Sequence, residues 1–331
     1  MTAPCVLAAV NASFQNTQKT FARFGRDCYT QKMTSNPAST PDAEIEITPG
    51  LVQSLLQQQH PDLAHLPVRI MESGWDNVMV RIGEDLALRL PRRAVANALI
   101  LNEQKWLPFL GPQLSVPIPV PLRVGGPQED YPFHWSVLPW LAGQAADQSP
   151  PAPSQAIIVS EFLRELHAVD LPDEHPKNPS RDCGLFDKRE DIARRMIALK
   201  GRTDLLTLTI MDIWNNALDT DIDTPKCWIA GDMHARNVLV DDGVITAFID
   251  WGDMCGGDRA TDLSAIWALF NCPSARHQAI KTYGMSEATL KRAKGWAVFY
   301  GVILLQTGLV DTPRHAQMGR QILQRLNADG V

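Results

Sequence analysis

With 331 residues, 45% hydrophobic and 21% charged, the chain has the composition of an ordinary soluble globular protein, long enough for one large or two modest domains around a sizeable core. A formal net charge of -6 without any long run of Lys and Arg speaks against a nucleic-acid binder, and no apolar run reaches the ~18 residues that span a bilayer. Cysteines Cys5, Cys28, Cys183, Cys227, Cys255 and Cys272 are scattered, with no C-x-x-C pair and no zinc-spaced histidines, a pattern of reduced cytosolic thiols.

Residues 1–42 differ from the rest of the chain. Residues 1–10 are mildly apolar but lack the basic segment of a secretory signal, and residues 35–42 form a Ser/Pro/Thr/Asn linker. With Met33 just before that linker, residues 1–42 are expected to be a disordered tail or a start-site extension. An organellar transit peptide is the other reading, because Asp27 is the sole acid among the first 32 residues; N-terminal mass spectrometry of the native protein separates the two.

The globular pattern begins at Ile45. Thr48-Pro49 starts a helix whose Leu51, Leu55 and Leu56 mark an apolar face before a stop at His60-Pro61. Residues 68–72, 78–82 and 86–90 read as three short strands of an antiparallel meander, joined by residues 73–77 and 83–85. A helix over residues 93–107 comes next, with Ala94, Ala98, Leu101 and Trp106 as its expected buried positions and Glu103 as its sole acid. Strands over residues 117–124 and 131–138 would complete a five-stranded sheet.

From Gln144 the chain reads as mostly helical. Ser154 is expected to cap a helix carrying Ile157, Ile158, Phe162, Leu163 and Leu166, with His167 as a C-terminal cap. Residues 171–187 form a Pro-rich connection, and helices over residues 188–199 and 204–218 lead to an acidic turn at residues 219–223. Helices over residues 261–270, 286–305 and 313–326 close the chain, with Trp296, Phe299 and Leu304 as expected core. No internal repeat or heptad run is present.

The most informative stretch, residues 227–253, reads CWIAGDMHARNVLVDDGVITAFIDWGD. Its pattern is strand, loop, strand, turn at Asp241-Asp242-Gly243, strand. If residues 238–240 and 244–249 pair as a hairpin, Asn237 and Asp250 meet at its open end, with Asp232 in the loop that feeds it. Two carboxylates and a carboxamide gathered there suit a hard cation such as Mg²⁺, which takes oxygen ligands and is usually held by one or two carboxylates plus substrate phosphates. The spacing Asp232-x-x-x-x-Asn237, then Asp250-Trp251-Gly252, matches the catalytic loop and metal-binding Asp of protein kinases.

These residues resemble the core of the aminoglycoside phosphotransferase family, small-molecule kinases with a protein-kinase-like fold, whose usual wording is close to His-Gly-Asp-x-His-x-x-Asn followed by Ile-Asp-Trp. This chain departs from it at Ala230, where the family carries a loop-supporting His, so looser packing of the loop is expected. The resemblance covers residues 45–330. It implies an α+β bilobal fold, with an N-lobe of five antiparallel strands plus helix at residues 43–140. The mainly helical C-lobe would be residues 141–331, with catalytic loop 230–237 and the metal Asp at 250.

The resemblance also distributes roles. Gly74 would lie in the phosphate-covering loop, although that loop lacks G-x-G-x-x-G. Arg89 replaces the phosphate-binding Lys, a change that keeps the charge but is not conservative, and Glu103 is its expected ion-pair partner, within a Glu-x-x-Trp-Leu-Pro helix end like that of the family. Trp140 and Leu141 would form the adenine-binding hinge. Asp232 would take the proton of the substrate hydroxyl, Asn237 and Asp250 would hold Mg²⁺, and Asp262 would brace the catalytic loop.

The implied activity is transfer of the γ-phosphoryl of ATP, with GTP as the alternative donor, to a hydroxyl of a small molecule such as an aminoglycoside-like antibiotic or another hydroxylated metabolite. The implied protein is cytoplasmic, a monomer or weak homodimer, with no nucleic-acid or membrane partner. For a polycationic acceptor, Asp253, Asp258 and the acidic turn at residues 219–223 are the available acids. A macrolide or amino-alcohol kinase of the same fold stays open, as does a nucleotide-binding pseudokinase, favoured by Ala230 and Arg89 and opposed by the intact Asp232, Asn237 and Asp250.

Overall fold

Local chemistry at Thr48 and Pro49 starts the first helix of the computed structural model, which describes residues 41–330; the expected tail lies outside the described residues but for positions 41 and 42. Thr48 is extended, and its hydroxyl accepts from the Leu51 N–H at 3.2 Å while Pro49 occupies the first turn of α1 (Pro49–Gln59). Val52, Leu55 and Leu56 are fully buried on the face that covers the sheet.

That sheet contains β1 (Val68–Ser73), β2 (Asn77–Ile82), β3 (Leu86–Pro91), β4 (Arg123–Gly125) and β5 (Trp135–Pro139), all antiparallel, in the order β1-β2-β3-β5-β4. Side chains alternate between its faces. Val78, Val80, Leu88, Leu90, Trp135 and Val137 pack with α1 in one core, so Arg89, between Leu88 and Leu90, points the other way.

β4 and β5 are shorter than their sequence suggests. Pro117, Pro119 and Pro121 have no N–H to give a ladder, and the Pro117 carbonyl instead accepts from Phe248 N–H at 3.0 Å, reaching into the helical half. Tyr131 makes only an isolated bridge with Gln128; its hydroxyl donates to Pro91 O at 2.7 Å.

On the far face of the sheet lies α2 (Val95–Leu110). Its buried face is Ala96, Ile100, Glu103, Trp106, Leu107 and Leu110, whereas Ala94, Ala98 and Leu101 are exposed. The stripe is rotated from the apolar expectation because it is aligned on an acid, Glu103, which turns inward to meet Arg89. The C-terminal end of α2 joins the core of the helical half, with Trp106 packed on Trp228 at 5.2 Å between ring centroids.

Beyond residues 140–143 the chain enters β6 (Gln144–Ala145), which pairs with β8 (Val238–Asp241), itself paired with β9 (Val244–Phe248). Asp242 and Gly243 close this hairpin with positive φ values of 46° and 77°, the two-residue turn whose twist suits adjacent strands. A second ribbon pairs β7 (Cys227–Ile229) with β10 (Cys255–Gly257). Around these pack α3 (Gln155–Ala168), α4 (Arg189–Leu199), α5 (Leu208–Leu218), α6 (Ala260–Leu263), α7 (Ala265–Leu269), α8 (Pro273–Tyr283), α9 (Glu287–Gly308) and α10 (Pro313–Asp329).

Several helical expectations need correction. Ser154 has helical backbone angles and makes no capping bond. The expected helix over residues 261–270 breaks at Ser264 into α6 and α7. Nothing in the sequence pattern announced α8, whose buried positions are Ala275, Ala279 and an arginine, Arg276, which is ion-paired with Asp329. None of the described helices is long and apolar enough to cross a membrane.

Candidate active site

The hairpin sets the geometry. Ile249 N–H donates to Asn237 O at 2.8 Å, so Asn237 and the residue before Asp250 are joined across the open end of β8 and β9. Asp232, Asn237 and Asp250 line one cleft together with Ala230, Met233, Phe248, Ile249 and Trp251. Asp250 holds a left-handed backbone with φ of 61°, uncommon for a residue with a side chain and a sign that its surroundings fix it.

Arg89 ties the sheet to this cleft. Its Nε lies 2.9 Å from Glu103 Oε2, and its Nη2 donates to Asp250 Oδ1 at 2.6 Å. The Arg89 and Glu103 side chains are 9% and 3% exposed, that of Asp250 48%. Burial pushes the Glu103 carboxyl up to about 7, outweighing the pull of Arg89. Asp250 also feels burial, but the Arg89 guanidinium wins and holds its carboxyl below the usual range. Arg89, set against two carboxylates, is driven further toward permanent charge.

Asp232 sits on a well-braced loop. Gly231 has φ of 83°, and a Cβ there would stand 2.6 Å from Asp253 O, so only glycine fits. Asp262 accepts from Ala230 N–H at 2.7 Å and from Gly231 N–H at 2.9 Å, and Tyr300 OH donates to Gly231 O at 2.5 Å. The looser packing expected from Ala230 is therefore absent, because Asp262 takes up both orphan amides directly. His167 is no helix cap: buried, it places Nε2 3.4 Å from Asp262 Oδ2 and Nδ1 2.9 Å from the Tyr283 hydroxyl.

Asn237 Nδ2 donates to Asp232 O at 2.8 Å. This bond holds the Asn237 amide against the loop. Burial raises the Asp232 carboxyl despite His234 and Arg181 beside it. The donor set at Asn237 and Asp250 is all oxygen, and among the described residues no cluster of three or more His, Cys, Asp or Glu could cage a metal. An oxygen donor set suits Mg²⁺, which leaves most of its coordination to phosphates and water.

Gly74 and Trp140 have their amides engaged. Gly74 N–H donates to Asn77 O at 2.8 Å, and Trp140 N–H donates to Asp85 O at 2.7 Å. Arg81 lies over the Trp140 ring, 4.6 Å from its centroid.

Two residues of the site escaped the sequence, Asn178 and Arg181, both from the Pro-rich connection. Arg181 donates from Nε and Nη2 to Asp253 Oδ2 at 3.1 and 2.8 Å and from Nη2 to Asp232 Oδ1 at 3.3 Å, while Asn178 Nδ2 donates to Asp253 Oδ1 at 2.8 Å. No spacing links an irregular segment to a loop about fifty residues away, so no sequence signal marks them. The acids offered for a cationic acceptor are also differently employed. Asp258 accepts from Arg292 Nε at 2.7 Å and Asp223 from Arg292 Nη2 at 2.8 Å, anchoring α9.

The family model of the phosphotransferase enzyme family (APH) matches residues 67–296, which include the sheet, α2, the catalytic loop and Asp250. The chain belongs to this family. Phosphotransferases of known structure share its protein-kinase-like fold. An aminoglycoside 2'-phosphotransferase-IIIa solved with GDP is 18% identical, covering 84% of this chain and 98% of that one with a TM-score of 0.60. The GDP and kanamycin complex of an APH(2")-IIIa gives 18%, 85%, 99% and 0.62. A macrolide 2'-phosphotransferase from Brachybacterium faecium, in its apoenzyme form, gives 17%, 82%, 97% and 0.54. A comparison with curated protein sequences gives no match. As a member of the family the chain is a phosphotransferase acting on small molecules.

Proposed function

We propose that this phosphotransferase moves the γ-phosphoryl group of ATP to a hydroxyl of a small molecule in the cleft where Asp232, Asn237 and Asp250 meet. The observation that carries this reading is their convergence with an arginine, Arg89, already paired to both Glu103 and Asp250. Asp232 orients the acceptor hydroxyl and takes its proton as the hydroxyl oxygen bonds to the γ-phosphorus and the bond to the bridging oxygen of ADP breaks. Asn237 and Asp250 would hold Mg²⁺, which supplies charge neutralisation on the phosphates. Arg89 binds phosphate oxygens, its guanidinium aimed by Glu103.

The nucleotide base is assigned to the 140–143 connection. Since the Trp140 N–H is bonded to Asp85 O, the base is expected to use Leu141 and the neighbouring carbonyls. Similar structures carry GDP or ADP, so GTP remains the natural competitor. Gly74 contributes by letting the covering loop approach the phosphates. The free thiols of Cys183, Cys227, Cys255 and Cys272 support a cytoplasmic protein, and we take it to act as a monomer or weak homodimer.

The test is Asp232→Asn. Transfer should fall by about 10³-fold or more, while the thermal shift produced by Mg²⁺-ATP persists. Wild-type transfer by the variant would remove Asp232 from the mechanism, and the absence of any Mg²⁺-nucleotide shift in the unmodified chain would overturn the proposal.

A further inference from the structure

Arg181 stands beside Asp232, and resting on the function proposed above, its placement bears on what the acceptor is. Its guanidinium is fixed from several sides. Nε and Nη2 hold Asp253, which Asn178 secures in turn; the ring of Tyr300 lies 5.4 Å from Cζ; and Gly231 leaves room for the stem, since a Cβ there would be 3.2 Å from Arg181 Cγ. The side chain is only 14% exposed. Nη1 makes no hydrogen bond to a described residue and is not sealed from solvent.

With Nη2 3.3 Å from Asp232 Oδ1, a hydroxyl hydrogen-bonded to Asp232 would bring its neighbouring carbon within reach of this guanidinium. An oxygen there accepts from Arg181. An ammonium there meets a like charge that cannot swing away. At the other carboxylate oxygen of Asp232, His234 Nε2 lies 3.6 Å from Oδ2. The acids that could compensate have internal partners: Asp253 on Arg181, Asp258 and Asp223 on Arg292, Asp182 on Lys226. Asp219 and Asp221 are exposed on the turn that Arg292 anchors through Asp221 O.

We infer that the acceptor carries a hydrogen-bond-accepting oxygen, and no ammonium group, on the carbon next to the phosphorylated hydroxyl, and that Arg181 selects for it. Two sources share that chemistry, neutral polyols and hydroxy-acids. The reaction is unchanged: the acceptor oxygen gains the phosphoryl group, ADP leaves, and the proton passes to Asp232.

The experiment uses the full chain with Mg²⁺-ATP and acceptors in matched pairs, D-glucose with D-glucosamine and D-gluconate with D-glucosaminate, plus kanamycin, reading ADP release and the phosphorylated product. Phosphorylation at a hydroxyl on a carbon bonded to C2, where the members of each pair differ, should favour the oxygen member by at least about 100-fold in kcat/KM, and the productive pair tells the neutral source from the anionic one. Arg181→Gln should raise the acceptor KM by about tenfold or more with the KM for ATP little changed, and Arg181→Lys should recover part of that loss.

Equal or better turnover of the amino members or of kanamycin would overturn the inference, as would no turnover of either oxygen member or an unchanged acceptor KM in Arg181→Gln. None of these touches the phosphotransferase reading, which stands or falls on Mg²⁺-ATP binding and on slow ATP hydrolysis that Asp232→Asn abolishes.

Discussion

Arg89 and Arg181 are each wedged between two carboxylates, one of which lines the cleft, yet they are held differently. Arg89 stands on β3, its partner Glu103 on α2, and only Asp250 lies in a loop. Arg181 and both its partners, Asp232 and Asp253, belong to connections. The first pair of contacts joins regular elements and is almost closed to water at Glu103, with Asp250 48% exposed; the second joins connections, with the Asp232 and Asp253 side chains both partly exposed, at 26% and 30%. On the proposed function, the side assigned to the nucleotide would thus be built for a constant ligand, and the side assigned to the acceptor could be changed by altering a loop while the scaffold stays.

The largest effect that tests this contrast is Arg89→Ala. It leaves Glu103 buried without its cation, and breaking such a pair costs about 3–5 kcal/mol, readable by urea unfolding. The same truncation at Arg181 should cost clearly less, about 1 kcal/mol, since its partners keep access to water. Equal losses would show that the two sides are not built differently.

A smaller effect comes from pH. Burial raises Glu103 to about 7 from the ordinary 4.5, so the folded protein holds this proton more tightly than the unfolded chain. The contribution is full below the unfolded value and is lost as pH rises through the folded one. Stability should therefore decline between about pH 5 and about pH 8 relative to Glu103→Gln, which has no proton to lose there. Parallel profiles for the two proteins would remove Glu103 from the joint.

The smallest is Tyr300→Phe, which deletes the hydroxyl bonded to Gly231 O and leaves that carbonyl to the loop alone. A loss of about 1 kcal/mol is expected, with kcat lowered by less than about tenfold because Asp262 still holds the loop from its other side. A loss as large as that of Arg89→Ala would mean that the Asp232 loop rests on one hydroxyl.

How far these features could be read in advance varied from element to element. The meander β1 to β3 and the β8–β9 hairpin were legible because alternation and the Asp-Asp-Gly turn are local. The buried face of α2 was misread because an acid lies on it, and apolar periodicity discounts acids. β4 was overlong in prospect because prolines at alternate positions, 117, 119 and 121, look extended while lacking the donors of a strand. α8 was missed because its buried positions are small or charged, and Arg276 becomes a core residue only beside Asp329.

Thus the order of Asp232, Asn237 and Asp250, the arginine on the third strand and the Glu on the next helix were fixed by the sequence alone, since motif spacing and strand alternation depend on near neighbours. The tertiary structure alone decided that Asp258 and Asp223 anchor α9, that His167 and Tyr300 join Asp262 around the Ala230–Gly231 loop, and that Arg181 stands beside Asp232. Each of these is a pairing of charged or polar groups distant in the chain, and such groups find their partners only when packing excludes water around them.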